Sequence, residues 1–232
     1  MYALHLSQST RPVSIRVRGA EVHAELTVPD DATGLVVLAY PNGTNRAGAK
    51  HDHVSAVLNA AGLATLLCDL LTVEEESLGD ITGEFRHEVG LLSTRLTGIA
   101  DWCFLQPELR SLPVGFLAAG SGAGAAFISA ALRPQFVKAI VARGGRLDLA
   151  WTSLAHVEAP VLLIAGEHDT GMRESYAACL PHIHAATKEI AIIPRAGAMF
   201  HNPATLDAFA DHAARWFTAH LCQDAPVPAA IC

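Results

Sequence analysis

Short apolar segments alternate with longer mixed segments along most of the chain. Residues 13–17 and 22–28 alternate apolar and polar side chains across a short turn, which predicts a hairpin at a sheet edge. Later apolar runs are continuous, as expected for strands covered on both faces. These runs predict buried strands at residues 34–40, 64–68, 114–118, 137–142 and 161–165. One more strand is predicted at residues 189–193, before the last helix.

The segments between these strands have the length and composition of helices. We predict helices at residues 50–61, 85–105, 122–132, 173–180 and 203–221, and an acidic loop at residues 70–80. Strand and helix alternate at least five times, which indicates one α/β domain with a mostly parallel, doubly wound sheet and helices on both faces. The domain spans residues 1–222, and residues 223–232 are expected to form a flexible tail. The short connection at 143–159 leaves minimal or no room for a lid.

Composition excludes several functional classes. The net charge of -7 argues against nucleic-acid and membrane partners, because both favour basic surfaces. No apolar run reaches the roughly 18–20 residues of a membrane span, and residues 1–11 do not resemble a signal peptide. The five cysteines fit no disulfide or zinc pattern, so we expect buried thiols and a cytoplasmic protein. We expect no metal and no cofactor; the predicted partner is a small molecule, with a homodimer as a further possibility.

Ligands of an open α/β sheet bind beyond the carboxyl ends of its strands. One strand there runs into Ala119-Gly120-Ser121-Gly122, a very small-residue turn before a helix. A nucleophile elbow needs such a turn, so Ser121 is the candidate nucleophile. The alternative interpretation is that these small residues serve only to pack the strand tightly against the helix and have no chemical role.

Two later loops supply candidate partners for Ser121. Asp169 follows the strand at 161–165, and His201 precedes the last helix, giving the order serine, acid, histidine that α/β-hydrolases use. Asp169 could instead cap a helix, and His201 could simply belong to a helix start. Arg143 and Arg146 flank two glycines and could hold an anion, or pair with Asp148 or the glutamates at 74–76. The predicted substrate-binding residues are Tyr40, Asn42, Gly43, Gly120, Gly122, Arg143 and Arg146.

The chain resembles the dienelactone-hydrolase-related branch of the α/β-hydrolases. Several stretches over about residues 20–221 carry the resemblance, namely 64–72, 112–116, 143–150, 159–169 and 216–217. The resemblance implies the α/β-hydrolase fold and an ester- or lactone-cleaving activity.

The functional positions depart from the family pattern. Relatives carry His-Gly-Ser-Gly in the first loop, where this chain has Tyr40-Pro41-Asn42-Gly43. Without gaps, the nucleophile position falls on Gly120 and the triad histidine on Ala198, while Asp169 falls in place. Three hypotheses stay open: a hydrolase with a rearranged triad, a non-hydrolytic enzyme of the lyase, isomerase or cyclase type, and a non-catalytic small-molecule binder.

Overall fold

The structure is a computed structural model that describes residues 8–40, 48–82, 85 and 87–222. Its strands are β1 (Gln8–Val17), β2 (Ala20–Pro29), β3 (Gly34–Tyr40), β4 (Leu63–Asp69), β5 (Val114–Gly120), β6 (Val137–Gly145), β7 (Val161–Gly166) and β8 (Lys188–Ile193). Its helices are α1 (Ala49–Ala60), α2 (Val73–Thr82), α3 (Val89–Leu105), α4 (Ser121–Leu132), α5 (Thr170–Cys179) and α6 (Pro203–Leu221). Asn42, Gly43 and the predicted tail lie outside the described residues.

One sheet carries these strands in the order β1-β2-β4-β3-β5-β6-β7-β8. The β1–β2 hairpin lies at one edge, where β2 pairs antiparallel with β4. The strands from β3 to β8 pair in parallel, so their carboxyl ends share one edge. The predicted edge hairpin and mostly parallel sheet are confirmed.

The sheet is covered on both faces, which explains its continuous apolar strands. All residues of β3 and β4 are buried. Alternate residues of β3 belong to different cores: Leu35 and Val37 pack in the core that includes residues of α3, α4 and α5, while Val36 and Leu38 pack with α1 and α6. The doubly wound prediction is therefore confirmed in both helix layers.

The prediction of an acidic loop at residues 70–80 is wrong, because α2 begins at Val73. Its start is a reciprocal cap: the Thr72 N–H donates to Glu75 Oε2 at 2.9 Å, and the Glu75 N–H donates to Thr72 Oγ1 at 3.2 Å. Arg95 of α3, nearly fully buried, donates to the other Glu75 oxygen at 2.7 Å. The glutamate is thus part of a helix start that is held by a distant ion pair.

The connection after β6 forms a 3-10 segment, Leu147–His156, that packs on α4. Cys68 and Cys103 are buried and carry free thiols, as predicted. Within the described ranges, no helix has the length and apolar character needed to cross a membrane.

Candidate functional site

A cavity of about 570 Å³ lies at the carboxyl edge of the parallel strands. This volume falls within the usual range for small-molecule sites. Residues from the ends of β3, β5 and β6, from the starts of α1 and α5, and from the loop after β8 line it, among them Tyr40, Gly120, Arg143, Lys50, Asp169 and Ala198. The structure therefore gathers residues from six separate segments around one space.

Gly120 forms the sharp turn between β5 and α4. Its backbone has φ 57° and ψ -132°, which places φ in the left-handed region that favours glycine. A strained strand-to-helix turn of this kind carries the nucleophile in α/β-hydrolases. A Cβ atom built on Gly120 would meet no heavy atom within 4 Å, and the residue lines the cavity. The elbow is present, but its turning residue has no side chain.

Ser121 and Gly122 lie in the first turn of α4 rather than in the cavity lining. Ser121 is 4% exposed, and Gly122 is also buried. Neither is among the described residues that line the cavity. The geometry therefore does not support the prediction that the Ser121 hydroxyl acts as the nucleophile or that Gly122 contacts substrate, because the turn directs position 120 to the cavity instead.

Asp169 does line the cavity, in the turn between β7 and α5. It is also the N-cap of α5, where its Oδ1 accepts the Met172 N–H at 3.3 Å. Both interpretations of this residue thus hold at once: it caps a helix, and it supplies a carboxylate to the candidate site.

His201 is exposed and lies beside the cavity wall without lining it. Its Nδ1 is 3.3 Å from the Nζ of Lys50, which also donates to the Met199 carbonyl at 3.1 Å. The cap of α6 is Asn202, whose side chain accepts the Ala204 N–H at 3.0 Å. Among the described residues, the side chain within hydrogen-bond distance of His201 is therefore that of Lys50, so the geometry there does not support the role of His201 as a base for Ser121.

The two arginines predicted to hold an anion have different environments. Arg146 is about half exposed, lies outside the cavity lining, and binds Asp148 through two hydrogen bonds of 2.8 and 2.7 Å. Asp148 also raises the pKa of Arg146 by accepting these bonds. Arg143 lines the cavity, and its guanidinium lies over the rings of Phe200 and Phe209 at 5.5 and 5.6 Å. Structural pairing thus accounts for Arg146 and not for Arg143.

Tyr40 is the last residue of β3 and lines the cavity while only 6% exposed. Its ring stacks on His51 with 3.7 Å between centroids and 17° between planes. Burial raises the pKa of Tyr40 to about 12, although the nearby Arg143 charge opposes this. The hydroxyl therefore stays protonated, and able to donate, over the physiological pH range.

Sequence reasoning missed several lining residues. Lys50 and His51 begin the helix after the first loop, and Met172, Met199 and Gly144 complete the wall. Lys50 and His51 follow the β3 loop, so their position after a predicted strand offered a signal. Met172 in α5 and Met199 in the loop after β8 gave none, because single apolar side chains are common at any protein surface.

The strand order, the elbow at Gly120 and the acid after β7 define an α/β-hydrolase fold. A solved structure of dienelactone hydrolase from Anabaena variabilis is 41% identical, with a TM-score of 0.88 over 92% of this chain and 99% of that chain. The chain therefore belongs to the dienelactone-hydrolase family, as the sequence resemblance predicted. Est1E from Butyrivibrio proteoclasticus, 13% identical with a TM-score of 0.70 over 89% of this chain and 99% of its own, shares the fold.

Two Mycobacterium tuberculosis proteins, from strains CDC 1551 and H37Rv, are also similar in sequence. Each is 41% identical over 208 residues, which is 88% of this chain, and each is provisionally named a phosphoribosyl transferase. The chain spans only 45% of the length of these relatives. No protein-family model matches the sequence.

Proposed function

We propose that this protein binds a small organic molecule in the cavity and uses no serine nucleophile. The observation that carries the proposal is Gly120, which occupies the elbow with no side chain. The nucleophile of an α/β-hydrolase stands at the turning residue of the elbow, which exposes its side chain to the site. Ser121 is buried outside the cavity lining, and Ala198 stands where the family resemblance places the histidine.

The polar residues that remain suit binding or proton transfer. Lys50, His51 and Asp169 line the cavity together with Tyr40, so a bound molecule would meet both donors and acceptors. This supports the non-hydrolytic enzyme and binder hypotheses over acyl transfer. An ester or lactone hydrolase with a rearranged triad is the second candidate, favoured by the 41% identity to a dienelactone hydrolase.

Transferase activity is not part of the proposal. The Mycobacterium tuberculosis relatives are more than twice as long as the segment they share with this chain. That shared segment corresponds to an α/β-hydrolase unit, so the phosphoribosyl name can describe the rest of those proteins. A cytoplasmic location, a homodimer and the absence of nucleic-acid partners stay predictions.

Labelling with a fluorophosphonate separates the two candidates. We expect no label on the natural protein, and ester hydrolysis no faster than that of Ser121→Ala. The double variant Gly120→Ser, Ala198→His serves as the positive control, because it places a hydroxyl and an imidazole in the cavity that holds Asp169. Label on Ser121 that disappears in Ser121→Ala would overturn the proposal.

Binding is tested by a thermal-shift screen of small metabolites. A ligand present at 100 times its Kd adds about 2.7 kcal/mol of stability, which raises the unfolding temperature measurably. The variant Ala198→Phe would fill the cavity from an exposed position in its wall and should abolish the shift. A ligand that stabilises Ala198→Phe equally would bind elsewhere and count against this cavity.

A further inference from the structure

The cavity carries positive charge in an acidic protein. Its described lining includes two fixed cations, Lys50 and Arg143, and one carboxylate, Asp169. The whole chain has a net charge of -7, so this concentration of cations is local. A local field of this sign raises the concentration of anions in a cleft.

Arg143 has donors that no carboxylate of the described residues uses. Other arginines pair with acids at 2.7 or 2.8 Å, namely Arg95 with Glu75, Arg133 with Asp101 and Arg146 with Asp148. The described neighbours of the Arg143 guanidinium are instead two aromatic rings, Phe200 and Phe209, both buried. The faces of aromatic rings stabilise the positive charge of a guanidinium and fix its plane. They do not accept the hydrogen bonds that its N–H groups donate in that plane. Arg143 is thus held in place by these rings, and no residue of the described ranges takes a hydrogen bond from its guanidinium.

Tyr40 provides a second, independent donor. Its side chain is more than nine-tenths buried and lines the same cavity, and no hydrogen bond joins its hydroxyl to any residue in the described ranges. A phenol hydroxyl at a cavity wall can donate to a bound molecule, because its protein neighbours in the described ranges do not use that donor. The stacked ring of His51 fixes the phenol, and the Arg143 charge is near enough to lower the Tyr40 pKa against the larger effect of burial.

We infer that Arg143 and Tyr40 bind the anionic oxygens of a phosphate-bearing organic molecule. The inference rests on the proposed function, because it assigns the ligand class of that same cavity. Lys50 supplies a third donor from another wall, which suits a tetrahedral dianion better than a planar carboxylate. Ala119, Met172 and Met199 give the cavity an apolar wall for the organic part of the ligand.

Isothermal titration calorimetry with phenyl phosphate, benzoate and benzyl alcohol tests the inference at constant ionic strength. We expect phenyl phosphate to bind at least about tenfold more tightly than either other probe. Arg143→Gln should weaken phenyl phosphate binding about tenfold or more, and Tyr40→Phe about threefold or more, since a hydrogen bond to a charged group exceeds a neutral one. Arg110→Gln makes the same charge change in an exposed residue before β5, at the opposite sheet edge, and should leave binding unchanged.

The outcomes distinguish this inference from the proposed function. Equal binding of phenyl phosphate and benzyl alcohol, tighter binding of benzoate, or equal effects of Arg143→Gln and Arg110→Gln would each overturn the phosphate assignment. Those results concern only the class of ligand. The proposal that the protein binds a small molecule without a serine nucleophile is tested separately, by the fluorophosphonate experiment. If Arg143→Gln proves unfolded by circular dichroism, Arg143→Lys keeps the charge, removes the forked donors, and should weaken phenyl phosphate binding at least threefold; unchanged binding would overturn the assignment.

Discussion

Replacing each of two buried tyrosines, Tyr176 and Tyr40, by phenylalanine should change the stability of the protein by very different amounts. Tyr176 is fully buried, and its hydroxyl accepts the Gly145 N–H at 2.7 Å and donates to the Ala142 carbonyl at 3.3 Å. Tyr176→Phe removes one oxygen and leaves the buried Gly145 N–H without that partner. An unsatisfied buried donor costs about 1–3 kcal/mol, so we expect the free energy of unfolding to fall by roughly 2 kcal/mol.

Tyr40→Phe is the matched control, because it removes the same atom from a tyrosine with no such bond in the described structure. Its unfolding free energy should change by no more than about 0.5 kcal/mol. Urea unfolding followed by circular dichroism measures both variants. With a denaturant slope of roughly 1–3 kcal/mol per molar, Tyr176→Phe should lower the midpoint by about 1 M. Equal midpoints for the two variants would refute the reasoning, since they would mean that the Gly145 bond contributes nothing.

Three further predictions concern stability. Gly166→Ala should lower the unfolding free energy by more than about 2 kcal/mol in urea titration, because its Cβ would press on the Ala196 carbonyl, which is backbone and cannot rotate away; an unchanged midpoint would contradict the contact. Gly120→Ser should cost only about 1–3 kcal/mol of backbone strain, since its Cβ has open space, and failure to fold would contradict that space. Burial raises the pKa of Cys103 to about 12 from 9.0, so the unfolded thiol ionises first. The contribution of this thiol to stability is therefore full below pH 9 and falls between pH 9 and 12 by up to about 1.4 kcal/mol per pH unit. The unfolding free energy of Cys103→Ala should fall less steeply over this range. An equal slope in the two proteins would contradict the assignment.

The sequence predicted the strands better than the site. Residues 34–40 and 203–221 were predicted with the bounds that the structure gives β3 and α6. Apolar periodicity records burial directly, so it determines elements that lie in the core. The segment 70–80 was misread because Glu75 pairs with Arg95, twenty residues away, in a partly buried ion pair that supports the helix start.

In the candidate site, some of the residues predicted from the sequence line the cavity and others do not. Sequence comparison alone placed the elbow at Gly120 and the acid at Asp169, and both line the cavity. Ser121 and His201 were chosen by residue type and chain order, and neither lines it. One residue of register decides whether a side chain at a sharp turn meets the cavity or the helix interior, and residue type carries no such information.

The sequence by itself determined the fold class, the family and which strand ends bear chemistry, because burial and small-residue turns leave local patterns in the chain. Only the tertiary structure decided which of two similar arginines faces the cavity. Arg146 meets Asp148 two residues away, whereas Arg143 meets Phe200 and Phe209 from the far end of the chain. Contacts between segments so distant in sequence exist only once the sheet has formed, so no local pattern can encode them.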